Sequence, residues 1–295
     1  MPRRHPILRG IVNLAAAGFF AIVALIVYGH FSSDGVGFLE KNAVAVVSVE
    51  GVIESSDDIV RTLERLEKND GIRAVVLRVD SPGGGVAPSQ EIYDAVWRLR
   101  GRKPVIASLG GEAASGGYYI AAACQTIVSN PGTLTGSIGV IMHTGSVAEL
   151  LKKIGITPTT IKAGKYKDIG SPTRDMTDEE KKLIGDVLEN VHTQFIAAVA
   201  KGRNLKPEQV RPLADGRIFS GEQARELHLV DELGGLHDAV KLAAERAGIT
   251  GEPHWVEIEK AQPPWWWQLV SGFAHTPPAG LSGLQFLYSR PGLSG

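Results

Sequence analysis

Ser115 is the residue whose type and surroundings best fit covalent chemistry. It lies in EAASGGYYIAAAC (residues 112–124), between an apolar run and an Ala-rich stretch that predicts a helix. A serine at a helix N-terminus, followed by glycine, places its hydroxyl beside a backbone N–H that stabilises developing negative charge. This arrangement favours nucleophilic attack on a carbonyl group. The alternative is that Ser115 only caps the helix, a role that serine often has.

A serine nucleophile needs a proton acceptor, and the sequence offers two residue types. Lys167, in the segment AGKYKDI, is one candidate base, because a lysine removed from water loses its charge more readily and can then accept a proton. Lys165, two positions earlier, is a weaker candidate. His143 is the competing base, at the end of a strand-like stretch. Either lysine is alternatively an ordinary solvated charge.

Two other segments contain residues suited to supporting such a nucleophile. DSPGGGV (residues 80–86) has three successive glycines, which let the backbone approach a ligand closely and present N–H groups to it. Neither a phosphate-binding GKS/T nor a dinucleotide GxGxxG is present, so nucleotide binding is not predicted. TLTGSIGV (residues 133–140) supplies hydroxyl groups that could orient a base. Both segments are alternatively ordinary turns.

Alternating strand and helix patterns must position these segments. Apolar runs rich in β-branched residues predict strands at residues 44–49, 74–79, 105–109, 126–128 and 159–161. Apolar residues at helical spacing predict helices at residues 89–100, 147–154, 177–202 and 237–247. Capping boxes are predicted at Thr177 with Glu180 and at Ser220 with Gln223. Strands separated by helices indicate an α/β fold with largely parallel pairing.

The composition limits the class of protein. Of the 295 residues, 43% are hydrophobic and 21% are charged, as in ordinary globular proteins. The net charge of −1 gives no basic field for nucleic acid, so no nucleic-acid partner is expected. Cys124 is the only cysteine, which excludes an intrachain disulfide and multi-cysteine metal sites.

The N-terminus predicts a membrane anchor. Residues 11–28 contain Asn13 as their only clearly polar side chain, and a helix of this length covers ~27 Å of a ~30 Å hydrocarbon core. Arg3, Arg4 and Arg9 precede it, which predicts a cytoplasmic N-terminus at residues 1–10 and a translocated remainder. We therefore predict a transmembrane signal anchor at residues 11–30 and a linker at residues 31–41. The alternative is a cleaved signal peptide.

The remaining residues divide into a folded domain and a tail. The alternating patterns place the domain at residues 42–252. Residues 253–295 form a tail rich in Trp, Pro and Gly, with three successive tryptophans at 265–267. This tail is predicted either to pack on the domain or a neighbour, or to lie at a membrane interface, which tryptophan favours.

Five segments occur in a fixed order along the chain: DSPGGGV, EAASGGYYIAAAC, TLTGSIGV, GKYKDIGS and DGRIFSGEQARELHLVDELGG. Together they resemble the short form of the signal peptide peptidase A (protease IV) family, peptidase family S49. The resemblance covers about residues 43–247. It implies the ClpP/crotonase superfamily, with stacked ββα units forming a superhelical fold. It also implies no cofactor, no metal, and assembly into a homo-oligomeric ring with active sites at subunit interfaces.

The resemblance also assigns roles to individual residues. Ser115 is implied as the nucleophile and Lys167 as the general base of a Ser–Lys dyad. Ser137 matches the serine that bonds this lysine. Gly84, the middle glycine of its triplet, and Gly116 match the oxyanion hole.

The expected function is a membrane-anchored serine endopeptidase. It would degrade remnant signal peptides and other apolar, unfolded peptides on the outer side of the bacterial cytoplasmic (inner) membrane, which it would cross once. Three alternatives remain open: the same fold with a ClpP-like Ser115–His143 site, a crotonase-type acyl-CoA enzyme, and a non-catalytic membrane scaffold.

Overall fold

The computed structural model describes residues 18–20, 42–258 and 285–287. Residues 42–257 and 285–287 belong to one compact unit, whereas residues 18–20 form a short helical stretch in a second unit. Apart from that stretch, the predicted anchor at 11–30 lies outside the described residues, as do the linker at 31–41 and the tryptophans at 265–267. Within the described ranges, no helix is both long and apolar enough to span a bilayer.

Strands and helices alternate along the compact unit. The strands are β1 (Ala43–Ile53), β2 (Ile72–Gly85), β3 (Val105–Ala114), β4 (Thr126–Ser129), β5 (Leu134–Gly136), β6 (Ile218–Ser220), β7 (Glu232–Leu233), β8 (Trp255–Ile258) and β9 (Gln285–Leu287). The α-helices are α1 (Asp57–Lys68), α2 (Val86–Leu99), α3 (Gly116–Ala121), α4 (Ala148–Lys153), α5 (Asp178–Arg203), α6 (Pro207–Val210), α7 (Gly221–Glu226) and α8 (Leu236–Arg246).

The strands form one sheet in the order β6-β5-β3-β2-β1-β8, with β4 and β7 continuing from β3, and β9 on β2. Pairing is parallel between β1 and β2, β2 and β3, β3 and β4, β3 and β5, and β4 and β7. The pairs β5–β6 and β2–β9 are antiparallel. The prediction of an α/β fold with largely parallel pairing is therefore confirmed.

Both faces of the sheet are buried, which explains the continuous apolar runs of its central strands. On one face, Val44, Val76 and Ile106 pack against Ala239 and Ala243 of α8. Successive side chains of a strand point to opposite faces, so their neighbours in sequence face the other side. There, the helices α2, α3 and α5 meet through a chain of aromatic rings.

That chain joins Tyr93, Tyr119 and Phe195. The ring centroids of Tyr93 and Tyr119 are 5.1 Å apart, and those of Tyr119 and Phe195 are 4.9 Å apart. The Tyr93 hydroxyl also donates to the Ala198 carbonyl at 3.1 Å. Since Tyr119 lies in α3, these contacts fix the helix that follows Ser115 against α5.

Residues 139–177, which we call the arm, differ from the rest of the unit. No residue from 139 to 179 is buried, and all of them are described. The helix α4 lies in the arm, where its Leu150 is 58% exposed and Ile154, directly after the helix, is 60% exposed. The predicted strand at 159–161 is wrong, because this stretch has no strand partner and Ile161 is 96% exposed. A β-branched run forms a strand only where a neighbouring strand can pair with it.

The two predicted capping boxes are confirmed. The Thr177 side chain accepts the N–H of Glu180 at the start of α5, and the Ser220 side chain accepts that of Gln223 at the start of α7. The box at Thr177 begins a helix of 26 residues whose second half is buried against the core.

Candidate active site

Ser115 is the single residue between the end of β3 and the start of α3. Its φ of 51° and ψ of −115° are unusual for a residue with a side chain, and it is only 1% exposed. Such a conformation costs of the order of 1–3 kcal/mol and persists only where the surroundings impose it. Although Ser115 occupies the N-cap position of α3, its side chain makes no capping hydrogen bond. The capping interpretation therefore does not explain this serine.

The glycine triplet packs directly against the start of α3. A methyl group on Gly116 would lie 2.6 Å from the Ser89 hydroxyl oxygen and 3.2 Å from the backbone nitrogen of Gly84. A methyl group on Gly84 would lie 2.2 Å from the Ile53 carbonyl oxygen. Both positions therefore require glycine, because the backbones approach too closely for any side chain. The predicted oxyanion-hole residues Gly84 and Gly116 are brought together.

Two buried serines hold the triplet in place, and the sequence analysis did not single them out. The Ser81 hydroxyl donates to the Gly51 carbonyl at 2.6 Å and accepts the N–H of Gly83 at 3.1 Å. The Ser89 hydroxyl donates to the Gly85 carbonyl at 2.8 Å. Because the Gly83 N–H already has a partner, Gly84 is the better oxyanion donor of the two. Ser81 lies inside DSPGGGV, so its position in that segment was the available indication.

Ser137 lies beside Ser115. The strands β3 and β5 run parallel with Ala114 opposite Gly136, and each serine is the next residue along its strand. The Ser115 N–H donates to the Gly136 carbonyl at 2.8 Å. Ser137 has a φ of 50° and is 7% exposed. The structure thus brings the nucleophile candidate and the base-orienting candidate to one edge of the sheet.

No hydrogen bond joins the Lys167 amine to Ser115 among the described residues. Lys167 lies in the arm and is exposed, and its amine makes no hydrogen bond or ion pair with any described residue. A lysine that acts as a base is predicted to be withdrawn from water. A single copy of the chain does not provide that environment.

The two competing bases are placed less favourably. His143 is exposed in the arm. The Lys165 amine bonds the Glu179 carboxylate at 2.6 Å, and this bond, followed by one to Tyr166, raises the pKa of Lys165. A lysine whose charged form is stabilised is a poor proton acceptor. The described residues contain no cluster of three His, Cys, Asp or Glu side chains arranged to hold a metal ion.

The chain matches two known protein families. The peptidase family S49 matches residues 98–250, and the Clp protease family matches residues 30–132. The first match includes Ser115, Ser137 and Lys167, and the second includes the glycine triplet. The prediction of a ClpP-related fold is consistent with the second match.

Curated relatives agree with these families. Putative protease slr0021 of Synechocystis sp. is 42% identical over 226 residues, 76% of this chain and 80% of that protein. Putative signal peptide peptidase SppA of Enterococcus faecium is 40% identical over 189 residues, 64% of this chain and 55% of that protein. Serine protease SPPA, chloroplastic, of Arabidopsis thaliana is 32% identical over 218 residues, 74% of this chain but 32% of that protein. The matched residues include the buried, strained Ser115 and its glycine neighbour Gly116. Because the family model covers more than half of the chain, the chain belongs to peptidase family S49.

Proposed function

We propose that this chain is a membrane-anchored serine endopeptidase in which Ser115 is the nucleophile and Lys167 the general base. The observation that carries the proposal is the setting of Ser115. It is a buried serine on a strained strand-to-helix turn, and the backbones of Gly84 and Gly116 pack beside it. A nucleophile held on a sharp turn beside backbone N–H donors is the arrangement that acyl transfer requires.

The reaction follows from these roles. The neutral Lys167 amine takes the proton of the Ser115 hydroxyl, and the hydroxyl oxygen attacks a peptide carbonyl carbon. The N–H groups of Gly84 and Gly116 hold the oxyanion, with ~3–4 kcal/mol from each donor. The leaving amine receives the proton from Lys167, which leaves an acyl-enzyme. Lys167 then activates a water molecule that hydrolyses the ester. Ser137 bonds the Lys167 amine and orients it.

Lys167 reaches Ser115 from a neighbouring copy of the chain. The exposure of Lys167 and of the whole arm supports this, as do the exposed apolar side chains of α4. Contact with a second copy covers the arm and withdraws the amine from water, which favours its neutral, proton-accepting form. A repeated contact of this head-to-tail type closes into a ring.

The substrates are extended, apolar peptides. The triplet Gly83–Gly85 already accepts an antiparallel strand, since β9 pairs Leu287 with Gly83 and Gln285 with Gly85. A peptide that binds in the same way gains main-chain hydrogen bonds and lies across the nucleophile. Only unfolded segments can add a strand in this manner. Remnant signal peptides meet this requirement, and the Enterococcus relative is named a signal peptide peptidase.

The predicted anchor supports a location at the membrane. Residues 11–30 hold the chain in the bacterial inner membrane as a single span, with the arginines at positions 3, 4 and 9 on the cytoplasmic side. The catalytic domain then lies on the outer side, where signal peptides remain after export.

The proposal is tested on the full chain in detergent. A fluorophosphonate probe should label Ser115, and Ser115→Ala should abolish labelling and hydrolysis of an unfolded apolar peptide. Lys167→Ala should slow hydrolysis by several orders of magnitude, whereas His143→Ala should leave it near the wild-type rate. The opposite pattern for Lys167 and His143 would establish a ClpP-like site. Failure of the probe to label, together with unchanged peptide turnover by Ser115→Ala, would contradict the serine endopeptidase and favour the acyl-CoA enzyme or the scaffold.

A further inference from the structure

Arg174 joins two carboxylates at the base of the arm. Its Nε and Nη2 donate to the two carboxylate oxygens of Asp168 at 2.8 and 2.9 Å. Its Nη1 and Nη2 donate to the two carboxylate oxygens of Glu180 at 2.8 and 2.5 Å. Nη2 also donates to the Asp168 carbonyl at 3.2 Å. One guanidinium therefore holds both the side chain and the backbone of Asp168.

The Glu180 side chain, which Arg174 bonds, is itself held in place. Its side chain is 5% exposed, and its Oε2 accepts the N–H of Thr177 at 2.9 Å in the capping box that begins α5. The far end of α5 is buried, with Phe195 against the Tyr119 ring of α3. A continuous set of contacts thus anchors Asp168, through Glu180 and α5, to the buried core of its own chain.

Asp168 follows Lys167 directly in the chain. Consecutive Cα atoms are ~3.8 Å apart, so a clamp on the backbone and side chain of Asp168 restricts the position from which the Lys167 side chain starts. A second cation, Lys162, also bonds Asp168. In contrast, the Lys167 amine takes no part in the network. The network therefore fixes the backbone beside Lys167 and leaves its amine uncommitted.

We propose that Arg174 is a positioning residue for the general base: it anchors Asp168 to the start of α5 and so sets the backbone from which Lys167 reaches the nucleophile. This inference rests on the proposed function. A planar guanidinium suits the role, because it bonds two carboxylates in fork geometry, whereas a lysine amine offers only a point charge.

The test compares three variants of the full chain: Arg174→Gln, Arg174→Lys and the control Arg102→Gln. Arg102 forms an ion pair of similar length with Glu67, at 2.7 Å, away from the arm. Arg174→Gln should lower kcat by ~10–100-fold with KM within about twofold, because misplacement of a catalytic group by ~1 Å has this effect. Arg174→Lys should lower kcat less, but by at least about threefold. Arg102→Gln should leave both constants unchanged.

A double-mutant cycle separates positioning from general stability. The rate of Ser115 labelling by a fluorophosphonate is measured for Arg174→Gln alone, Lys167→Ala alone and both together. If Arg174 acts through Lys167, Arg174→Gln slows labelling in the wild-type background and has no further effect in the Lys167→Ala background. An equal slowing in both backgrounds would overturn the inference. The size of each variant's assembly is measured to check that all variants assemble alike. If Arg174→Gln does not fold, the same comparison is made with Arg174→Lys.

The outcomes also separate this inference from the function on which it rests. Normal kcat in Arg174→Gln or Arg174→Lys, together with an inactive Lys167→Ala, overturns the role of Arg174 alone. Normal hydrolysis by Lys167→Ala overturns the assignment of the base and, with it, the positioning role.

Discussion

Ser115 donates its backbone N–H to the carbonyl oxygen of Gly136 at 2.8 Å. This bond extends the parallel pairing of β3 and β5 by one residue into the turn that holds the nucleophile candidate. It therefore helps to hold Ser115 at its positive φ and places Ser137, the residue after Gly136, beside it. Two serines far apart in sequence share one sheet edge because their strands are neighbours in register.

Gly116→Ala tests the close approach of the glycine triplet to α3. The added methyl group would lie 2.6 Å from the Ser89 hydroxyl oxygen and 3.2 Å from the Gly84 nitrogen, which displaces the two proposed oxyanion donors from each other. We expect kcat to fall by ~10²-fold or more, as when one oxyanion donor is lost. The steady-state rate of hydrolysis of an unfolded peptide measures this change in kcat.

Gly132→Ala is the matched control, because nothing lies within 4 Å of the added methyl group there. It should leave kcat unchanged. A Gly116→Ala enzyme within twofold of the wild-type rate would contradict the oxyanion hole.

Mixing two inactive variants tests whether the dyad forms between copies of the chain. Ser115→Ala keeps Lys167, and Lys167→Ala keeps Ser115, so neither has a complete site. If a ring takes up both at random in equal amounts, about a quarter of the head-to-tail contacts unite an intact serine with an intact lysine. We expect co-assembled samples to recover about that fraction of wild-type hydrolysis. Each variant alone, denatured and reassembled in the same way, is the control. No recovery in particles of confirmed mixed composition would place both residues in one chain.

Removal of β9 tests the substrate edge. A chain that stops after residue 284 lacks the strand that pairs with Gly83–Gly85, so the edge is open to a peptide. We expect KM for an unfolded peptide to fall severalfold with kcat unchanged, because bound substrate no longer displaces β9. A chain that stops after residue 287 keeps the strand and should behave as the full chain does. Equal KM values in the two truncated chains would show that peptides bind elsewhere.

The carboxylates bonded by Arg174 predict a loss of stability in acid. The hydrogen bonds from Arg174, and next from the Thr177 backbone, lower the pKa of Glu180 from 4.5 to about 2, and those from Arg174 and Lys162 lower that of Asp168. At a pH between the lowered pKa of a carboxyl group in the folded chain and its ordinary pKa in the unfolded chain, the unfolded chain binds more protons. Stability therefore falls as the pH falls through this range. The contribution of Glu180 should be complete above about pH 4.5 and lost near pH 2.

Thermal unfolding at a series of pH values, compared between the wild type and Glu180→Gln, isolates this carboxylate from the others. The difference in Tm between the two proteins should be constant above about pH 5 and shrink toward zero near pH 2. A difference that is unchanged across this range would contradict the bonding of Glu180 by Arg174.

Local patterns predicted the parts of the fold that local forces determine. The first three strands are long and contain apolar runs, β4 is short but apolar at its centre, and the capping boxes at Thr177 and Ser220 need only neighbours three residues away. The short strands β5 to β7 and β9 carry no such pattern, because their existence depends on partners distant in sequence. The run at 159–161 shows the converse, since it has strand-forming residues but no partner.

The residues of the candidate site that lie in local sequence motifs were predictable in the same way as the long strands and the capping boxes. Ser115, Ser137 and the glycines lie in motifs of the compact unit, and the structure brings them together. The roles of Ser81 and Arg174 depend on contacts with Gly51 and Glu180 that no single segment contains. Lys167 also lies in a motif, but in one copy of the chain its side chain is exposed and no described residue bonds its amine.

The exposed arm has a consequence for how activity is controlled. If its burial comes only from another copy, a newly made or highly diluted chain has a nucleophile without a base and is latent. Specific activity then rises with total concentration until assembly is complete, because association follows mass action. A protease of this kind is active where many copies accumulate, and a single copy that has not yet met another is inactive.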